Sequence, residues 1–199
     1  SYIHQAFVQN YLSGVLTEKE FLNSIGWGGD NFQLYKEQMW QAKDSGGTVI
    51  ALNMPRTVTK EISKKGLGSI SPESQKLMPP DFELGNDLYK QRFLELLGGH
   101  GGHAFLENMF AAQSTWDDTM AWQATGFMSA HLTEVMVVIV GNFHVLYDGG
   151  LPDRIRARGY SAVKTVTHVD LEDVKKDSNI LLPDPTYGIL SDWVWLSSY

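Results

Sequence analysis

The 199-residue chain has no cysteine, and no apolar run approaches the ~18 residues that a membrane-spanning helix needs. The lack of cysteine excludes disulfide staples, thiolate nucleophiles and cysteine-ligated metals, and it fits a periplasmic or surface compartment. The formal net charge is −7, so the chain also lacks the basic stripe that nucleic-acid binding requires. We therefore expect no nucleic-acid partner.

The common catalytic signatures are missing as well. The sequence contains no P-loop, no GxGxxG element, no HExxH helix and no GxSxG elbow. No motif therefore indicates phosphate cradling, a helical zinc site or a serine nucleophile.

Short β-branched runs predict the strands. Residues 135–140 (VMVVIV) are six uninterrupted apolar residues that end at a glycine, which is typical of a strand buried on both faces of a parallel sheet. Residues 48–52 (TVIAL) form a second buried-strand candidate. Residues 163–169 alternate apolar and polar, and residues 192–197 resemble a final, edge strand. We predict an α/β fold with a largely parallel sheet flanked by helices and a small helical subdomain.

The domain organisation follows from composition. Residues 1–65 and 104–199 are predicted to form the main α/β domain. Residues 66–103, rich in proline, serine and glycine, are predicted to form a helical excursion or lid. Because residues 2–11 already have the pattern of a helix body, we expect the native chain to begin further upstream. An upstream segment or a second chain would then complete the sheet.

Functional side chains follow the strand predicted at 135–140. Asn142, His144 and Tyr147 come directly after Gly141, and open α/β sheets bind ligands at the carboxyl ends of their strands. His144 and Tyr147 are therefore candidate ligand-binding residues, with Asn142 supporting them. A capped strand with a structural histidine is the other interpretation of the same residues.

A long helix predicted over residues 104–133 carries polar residues among its apolar ones. Gln113 and Asp117 lie one turn apart, and Trp116 belongs to the apolar stripe. Because burial of a carboxylate is costly without partners, Asp117 is either a buried hydrogen-bond anchor or a site residue.

Two further histidines lie in the glycine-rich segment GGHGGH. His100 and His103 could reach a ligand on this loop or simply be solvated. Tyr89, on a helix predicted over residues 87–97, adds a second candidate phenol.

In combination, several blocks of the sequence resemble the ChaN-like haem-binding lipoproteins, whose superfamily also holds the Tiki proteins and erythromycin-esterase-like enzymes. The blocks are QNYLSG, IALNMP, FAAQSTWDDTMA, IVGNFHVLYDGGLPDRIRARG and YGILSDWVWL. The relatives' second G-x-x-H motif falls on residues 141–144. Their first, GE-x-H, has no counterpart, so this chain carries half of that ligand pattern.

The resemblance implies a bacterial, surface-associated protein of iron acquisition that binds haem between protomers. It implies a lipid anchor in the outer membrane or a periplasmic location, a homodimer, and an outer-membrane haem receptor as a possible partner. Its fold would be α/β with a largely parallel sheet and a helical subdomain.

Three hypotheses for function follow. In the first, the protein holds ferric haem without turnover, with Tyr147 or Tyr89 as iron ligand and His100, His103 or His144 nearby. These residues are chosen for position and chemistry. In the second, it is a metal-dependent hydrolase in which His144 is ligand or base and Asp117 is an orienting or ligating acid. In the third, it is a scaffold that has lost ligand binding.

Overall fold

A computed structural model describes residues 1–28, 32–98 and 102–198. The chain divides into two compact units, Ser1–Arg56 and Thr57–Tyr199. The separation of residues 66–103 as an excursion stays a prediction. In chain order the helices are α1 (Gln5–Leu12), α2 (Glu18–Ser24), α3 (Gln33–Asp44), α4 (Arg56–Lys65), α5 (Pro72–Gln75), α6 (Asp87–Leu96), α7 (His103–Ala130), α8 (Leu151–Ala157) and α9 (Leu171–Lys176).

The first unit is built on aromatic packing between α1, α2 and α3. Tyr11 of α1 stacks on Phe21 of α2 with ring centroids 4.6 Å apart, and Phe32 completes the buried cluster. Helix α2 begins with a capping box. The Thr17 side chain accepts from the backbone of Glu20, and the Glu20 carboxylate accepts from the backbone of Thr17 at 2.8 Å.

The strand predicted at residues 48–52 is wrong, because these residues form no strand. The side chain of Gln5 takes the position of a neighbouring strand. Its Oε1 accepts from the Ala51 N–H at 2.7 Å, and its Nε2 donates to the Val49 carbonyl at 2.9 Å. One amide from α1 therefore satisfies backbone groups that a ladder would otherwise pair.

Helix α7, of 28 residues, is the central element of the second unit. The predicted long helix is confirmed, and its middle turns are buried around most of their circumference. Small side chains such as Ala111, Ser114 and Ala121 let neighbouring segments approach, and α8 packs against it. No helix within the described ranges is both long enough and apolar enough to cross a membrane.

The sheet of the second unit has two parallel strands, β1 (Val166–Asp170) and β2 (Trp193–Ser197). The strands predicted at 163–169 and 192–197 are thus confirmed with shifted ends. Asp192 fixes their start, since its carboxylate accepts from the backbone N–H of Thr165 at 2.8 Å and from Lys164 Nζ at 2.8 Å.

The strand predicted at residues 135–140 is wrong. The segment has no regular secondary structure, and Val135 and Val137 are 89% and 80% exposed. A strand needs a neighbour to pair with, and within the described part of the chain no strand pairs with this segment. The chain therefore mixes helices with a small parallel sheet, and a largely parallel sheet is not formed. Completion of the sheet by an upstream segment or second chain stays a prediction.

Glu61 joins α4 to α5, and its contacts make the stability of the protein depend on pH. Its carboxylate accepts from Lys65 Nζ at 2.8 Å, from Ser74 Oγ at 2.6 Å and from the backbone and hydroxyl of Ser71. The bonds from Lys65 and Ser74 lower the pKa of Glu61 to about 2. A lowered folded-state pKa stabilises the protein above the unfolded-state value, and this contribution is lost as pH falls towards the folded-state value.

We therefore expect Glu61→Gln to lower the free energy of unfolding at pH 7 and to have a smaller effect at pH 3. Urea denaturation at the two pH values measures this difference. Glu73→Gln, an exposed neighbour on α5, is the control and should show little change at either pH. An equal loss for Glu61→Gln at both pH values would contradict the assignment.

Candidate functional site

Asp117 lies in the middle of α7 with no exposed surface. Its Oδ2 accepts a hydrogen bond from the Tyr89 hydroxyl at 2.7 Å, and its Oδ1 lies 2.5 Å from Nδ1 of His144. Gln113, one turn earlier, donates from Nε2 to the Tyr89 hydroxyl at 2.9 Å and lies 3.1 Å from Nδ1 of His144. We call these four residues the Asp117 network. The sequence predicted a buried, hydrogen-bonded Asp117, and this is confirmed.

The proton positions in the network follow from its acceptor. A carboxylate only accepts hydrogen bonds, so Tyr89 donates its hydroxyl proton and His144 donates from Nδ1. Burial raises the pKa of Asp117, and the bonds from His144 and Tyr89 oppose that rise. With Nδ1 occupied, Nε2 of His144 keeps the lone pair with which a neutral imidazole accepts a proton or binds a metal.

Tyr89, on α6, is enclosed by backbone and is 2% exposed. A Cβ at Gly85 would lie 2.6 Å from its ring, one at Gly149 2.9 Å from the ring, and one at Gly150 2.9 Å from its hydroxyl. Larger residues would therefore clash with Tyr89 at these positions. Burial, and then the charge of Asp117, raises the pKa of Tyr89, which keeps it a neutral phenol.

His144 does not follow a strand. It ends a short 3-10 turn, Asn142–His144, and its side chain is mostly buried. This corrects the expectation that a central strand presents it, because the residues before the turn find no strand partner. The bond to Asp117 fixes the ring instead, so a helix rather than a strand end positions this imidazole.

The next residue on α7, Asp118, has a different role. Arg158 donates to both of its oxygens, at 3.0 and 2.6 Å, and Arg154 lies 3.3 Å from Oδ1. The same arginines reach the Glu83 carboxylate and the Pro80 carbonyl. Asp118 therefore anchors residues 80–83 to α7 and α8, and sequence reasoning did not single it out.

A small cleft lies beside Tyr89. It is lined by Asn86, Leu88, Tyr89, Tyr147, Gly149 and Tyr187.

The three tyrosines of the cleft differ in what their hydroxyls contact. Tyr89 is bonded to Asp117, and Tyr187 donates to Glu95 at 2.6 Å. Desolvation and the bond to Glu95 raise the pKa of Tyr187 to about 12. Among the described residues, the hydroxyl of half-buried Tyr147 has no hydrogen-bond partner. Tyr147 thus differs from the other two cleft tyrosines in having no hydrogen-bond partner for its hydroxyl among the described residues.

The other predicted site residues lie apart from this arrangement. Asn142 is exposed and donates to the His168 carbonyl at 3.3 Å. Trp116 is half-buried on α7 and makes no hydrogen bond within the described ranges. His103 is 91% exposed and lies 3.7 Å from Glu107. His100 lies outside the described residues, so its predicted role stays a prediction.

Sequence reasoning missed Arg92 and Tyr187, as well as the glycines that enclose Tyr89. Arg92 bonds to the backbone of residues 143 and 146, and Tyr187 closes one side of the cleft. The paired glycines at 149 and 150 were the one available signal, because adjacent glycines permit a close approach of backbone to a side chain.

The comparison with known families adds to this geometry. Residues 2–155 match the family described as haem-binding uptake, Tiki superfamily, ChaN. The chain belongs to the ChaN family. No curated protein and no solved structure matches it. The region of the ChaN match includes the whole Asp117 network and Tyr147, and it leaves out β1 and β2.

The first prediction for this member of the ChaN family concerns Asp117, the acceptor of the Asp117 network. Asp117→Ala leaves the Tyr89 hydroxyl and the Nδ1–H of His144 without the carboxylate that accepts their protons, so it should lower the free energy of unfolding by about 1–3 kcal/mol. Asp44→Ala, at the exposed end of α3, should change it by less than about 0.5 kcal/mol. Chemical denaturation of both variants measures the contrast. Equal effects would show that Asp117 is not a required partner.

The second prediction concerns the backbone of Tyr147, which has φ +58° and ψ +27°. A left-handed conformation favours glycine over any residue with a Cβ. Tyr147→Gly should therefore be more stable than Tyr147→Ala by about 1 kcal/mol, although both lack the phenol. At Tyr187, which is not among the positive-φ residues, Ala should be at least as stable as Gly. Thermal denaturation of the four variants tests this, and the same order at both positions would contradict it.

Proposed function

We propose that this protein holds ferric haem in bacterial iron uptake, with the phenolate of Tyr147 as the iron ligand and without chemical turnover. Membership of a family of haem-binding uptake gives the class of ligand. The observation that carries the finer proposal is the free hydroxyl of Tyr147 in a cleft where Tyr89 and Tyr187 are bonded to carboxylates.

The number of protein ligands fits haem. Within the described ranges, no group of three or more His, Cys, Asp or Glu side chains could hold a bare metal ion. A porphyrin supplies the equatorial nitrogens itself, so the protein needs to add only an axial ligand such as Tyr. One unpaired phenol in a cleft therefore meets the requirement.

The chemistry of a phenol suits carriage of ferric haem. A bound cation favours the anionic form of its ligand, so Tyr147 would bind as phenolate. An anionic oxygen ligand stabilises ferric over ferrous iron, which suits storage or transfer over electron transport. Tyr89 is less suited, because its hydroxyl would first have to leave Asp117.

The cleft beside Tyr147 leaves room for a second protein surface to cover the ligand. The cleft is small and exposed Leu88 is one of the residues that line it, so it would cover only part of a porphyrin. We propose that a second copy of the chain covers the rest, with haem between protomers. We also propose that the protein works in the periplasm or anchored to the outer membrane, where an outer-membrane receptor would deliver haem.

The test is a hemin titration of the purified protein, followed by its Soret and charge-transfer bands. Wild type should take up hemin with the spectrum of a ferric, high-spin, phenolate-ligated haem. Tyr147→Phe should lose that spectrum, because the oxygen ligand is gone.

Two matched variants control for general effects of removing a hydroxyl. Tyr187→Phe and Tyr89→Phe should keep the wild-type spectrum, although Tyr89→Phe should lower stability by taking a donor from Asp117. No uptake of hemin above non-specific background by wild type would overturn the haem proposal. Loss of the spectrum in Tyr89→Phe alone would move the ligand to Tyr89.

A metal-dependent hydrolase is the second candidate, favoured by the bond between Asp117 and His144. A carboxylate that holds Nδ1 and leaves Nε2 free is the usual support of a metal-binding or general-base histidine. Zn²⁺ binding measured by calorimetry, on wild type and His144→Ala, tests this candidate. Stoichiometric binding that His144→Ala abolishes would favour it, and no binding would contradict it.

A further inference from the structure

The backbone around Tyr147 is held in an unfavourable conformation. Tyr147 and Asp148 both have positive φ, at +58° and +59°, and Gly150 follows at +58°. Only glycine adopts this region without a steric cost, so two consecutive residues with side chains must be held there by their surroundings. Such strain persists where neighbouring groups determine the local geometry, and it is concentrated at functional sites.

Arg92 of α6 supplies much of that restraint. Its Nη2 donates to the Phe143 carbonyl at 2.5 Å, and its Nη1 donates to the Leu146 carbonyl. The N–H of Tyr147 then donates to the Leu190 carbonyl at 2.8 Å. One guanidinium therefore bridges two carbonyls of the turn immediately before Tyr147.

The environment of Arg92 is unusual for a buried cation. The residue is 9% exposed, and no carboxylate of the described residues lies within ion-pair distance. Its Nε has no acceptor among the residues that the structure describes, and its guanidinium lies 4.4 Å from the ring centre of Phe143 and 5.1 Å from that of Tyr147. Arg154, which is also buried, instead reaches the carboxylates of Asp118 and Glu83.

We propose that Arg92 is a positioning residue for the Tyr147 phenol: it bridges the Phe143 and Leu146 carbonyls and lies over the Tyr147 ring. This rests on the proposed function, because it names what holds the iron ligand in place. The role needs the planar fork of a guanidinium. Lysine keeps the positive charge, but its single ammonium does not reproduce the two parallel N–H bonds.

The position of its hydrogen bonds distinguishes a residue that positions Tyr147 from one that only stabilises the fold. Arg158 serves as the control for Arg92, because it is also a mostly buried arginine that holds a loop. It bonds to Asp118 and to the Pro80 carbonyl. None of its bonds reaches residues 143–148. Arg158→Lys should therefore lower stability without moving Tyr147.

The first arm of the test uses haem-free protein labelled with 3-fluorotyrosine. The Tyr147 resonance is assigned by its absence in Tyr147→Phe, and it is then followed by ¹⁹F NMR in Arg92→Lys, Arg92→Met and Arg158→Lys. We expect the resonance to shift or broaden in both Arg92 variants and to stay in place in Arg158→Lys. An unchanged resonance in Arg92→Lys would overturn the proposal, even if Arg92→Met fails to fold.

The second arm is a hemin titration of the same variants. Loss of a group that positions a ligand typically weakens binding roughly 10–100-fold, so Arg92→Lys should bind hemin more weakly by that factor and lose phenolate character in its spectrum. Wild-type affinity and spectrum in Arg92→Lys would reduce Arg92 to a structural residue. If wild type binds no hemin while the ¹⁹F resonance still moves, the haem proposal fails and the positioning of Tyr147 by Arg92 stands.

Discussion

The buried carboxylate of Asp117 is the constraint on which the site depends. An ion without solvent is costly unless donors surround it, and Asp117 receives them from α6 through Tyr89 and from the 142–144 turn through His144. These bonds join segments that are far apart in the chain. The same two bonds therefore satisfy the charge and place an imidazole and a phenol at fixed positions beside α7.

The turn that contains Tyr147 lies next to the Asp117 network. Because Tyr89 must lie against Asp117, the 149–150 backbone can pass over its ring only as glycine. This close approach sets the path of the chain just after Tyr147. Arg92 sets the path just before it through two carbonyls. The strained conformation of Tyr147 is thus determined from both sides, and its hydroxyl makes no hydrogen bond to the described residues.

The division of roles among the aromatic hydroxyls gives the functional interpretation its physical basis. A phenol bonded to a carboxylate is held neutral, whereas one without a partner can lose its proton to a bound cation. In the cleft only Tyr147, of the tyrosines described, meets the second condition. The imidazole of His144 is instead held through Nδ1 by the carboxylate of Asp117.

Sequence reasoning worked where local pattern and burial cost decide the structure. The periodicity of α7 and the cost of burying Asp117 predicted a hydrogen-bonded carboxylate, and alternation predicted β1. It failed at residues 135–140, because a strand also requires a neighbour and composition does not show whether one is present. The role of Arg92 could not be predicted from the sequence, because it depends on hydrogen bonds to carbonyls more than 50 residues away, at 143 and 146. The contrast between Tyr89 and Tyr147 likewise depends on tertiary hydrogen bonds.

The most direct measurement of the central claim is a crystal structure of the protein loaded with hemin. The account predicts iron bound to the Tyr147 oxygen, with the hydroxyl of Tyr89 still donating to Asp117 and Arg92 still bridging the carbonyls of residues 143 and 146. Iron bound through another side chain, or a Tyr89 that has left Asp117 to reach it, would contradict the account.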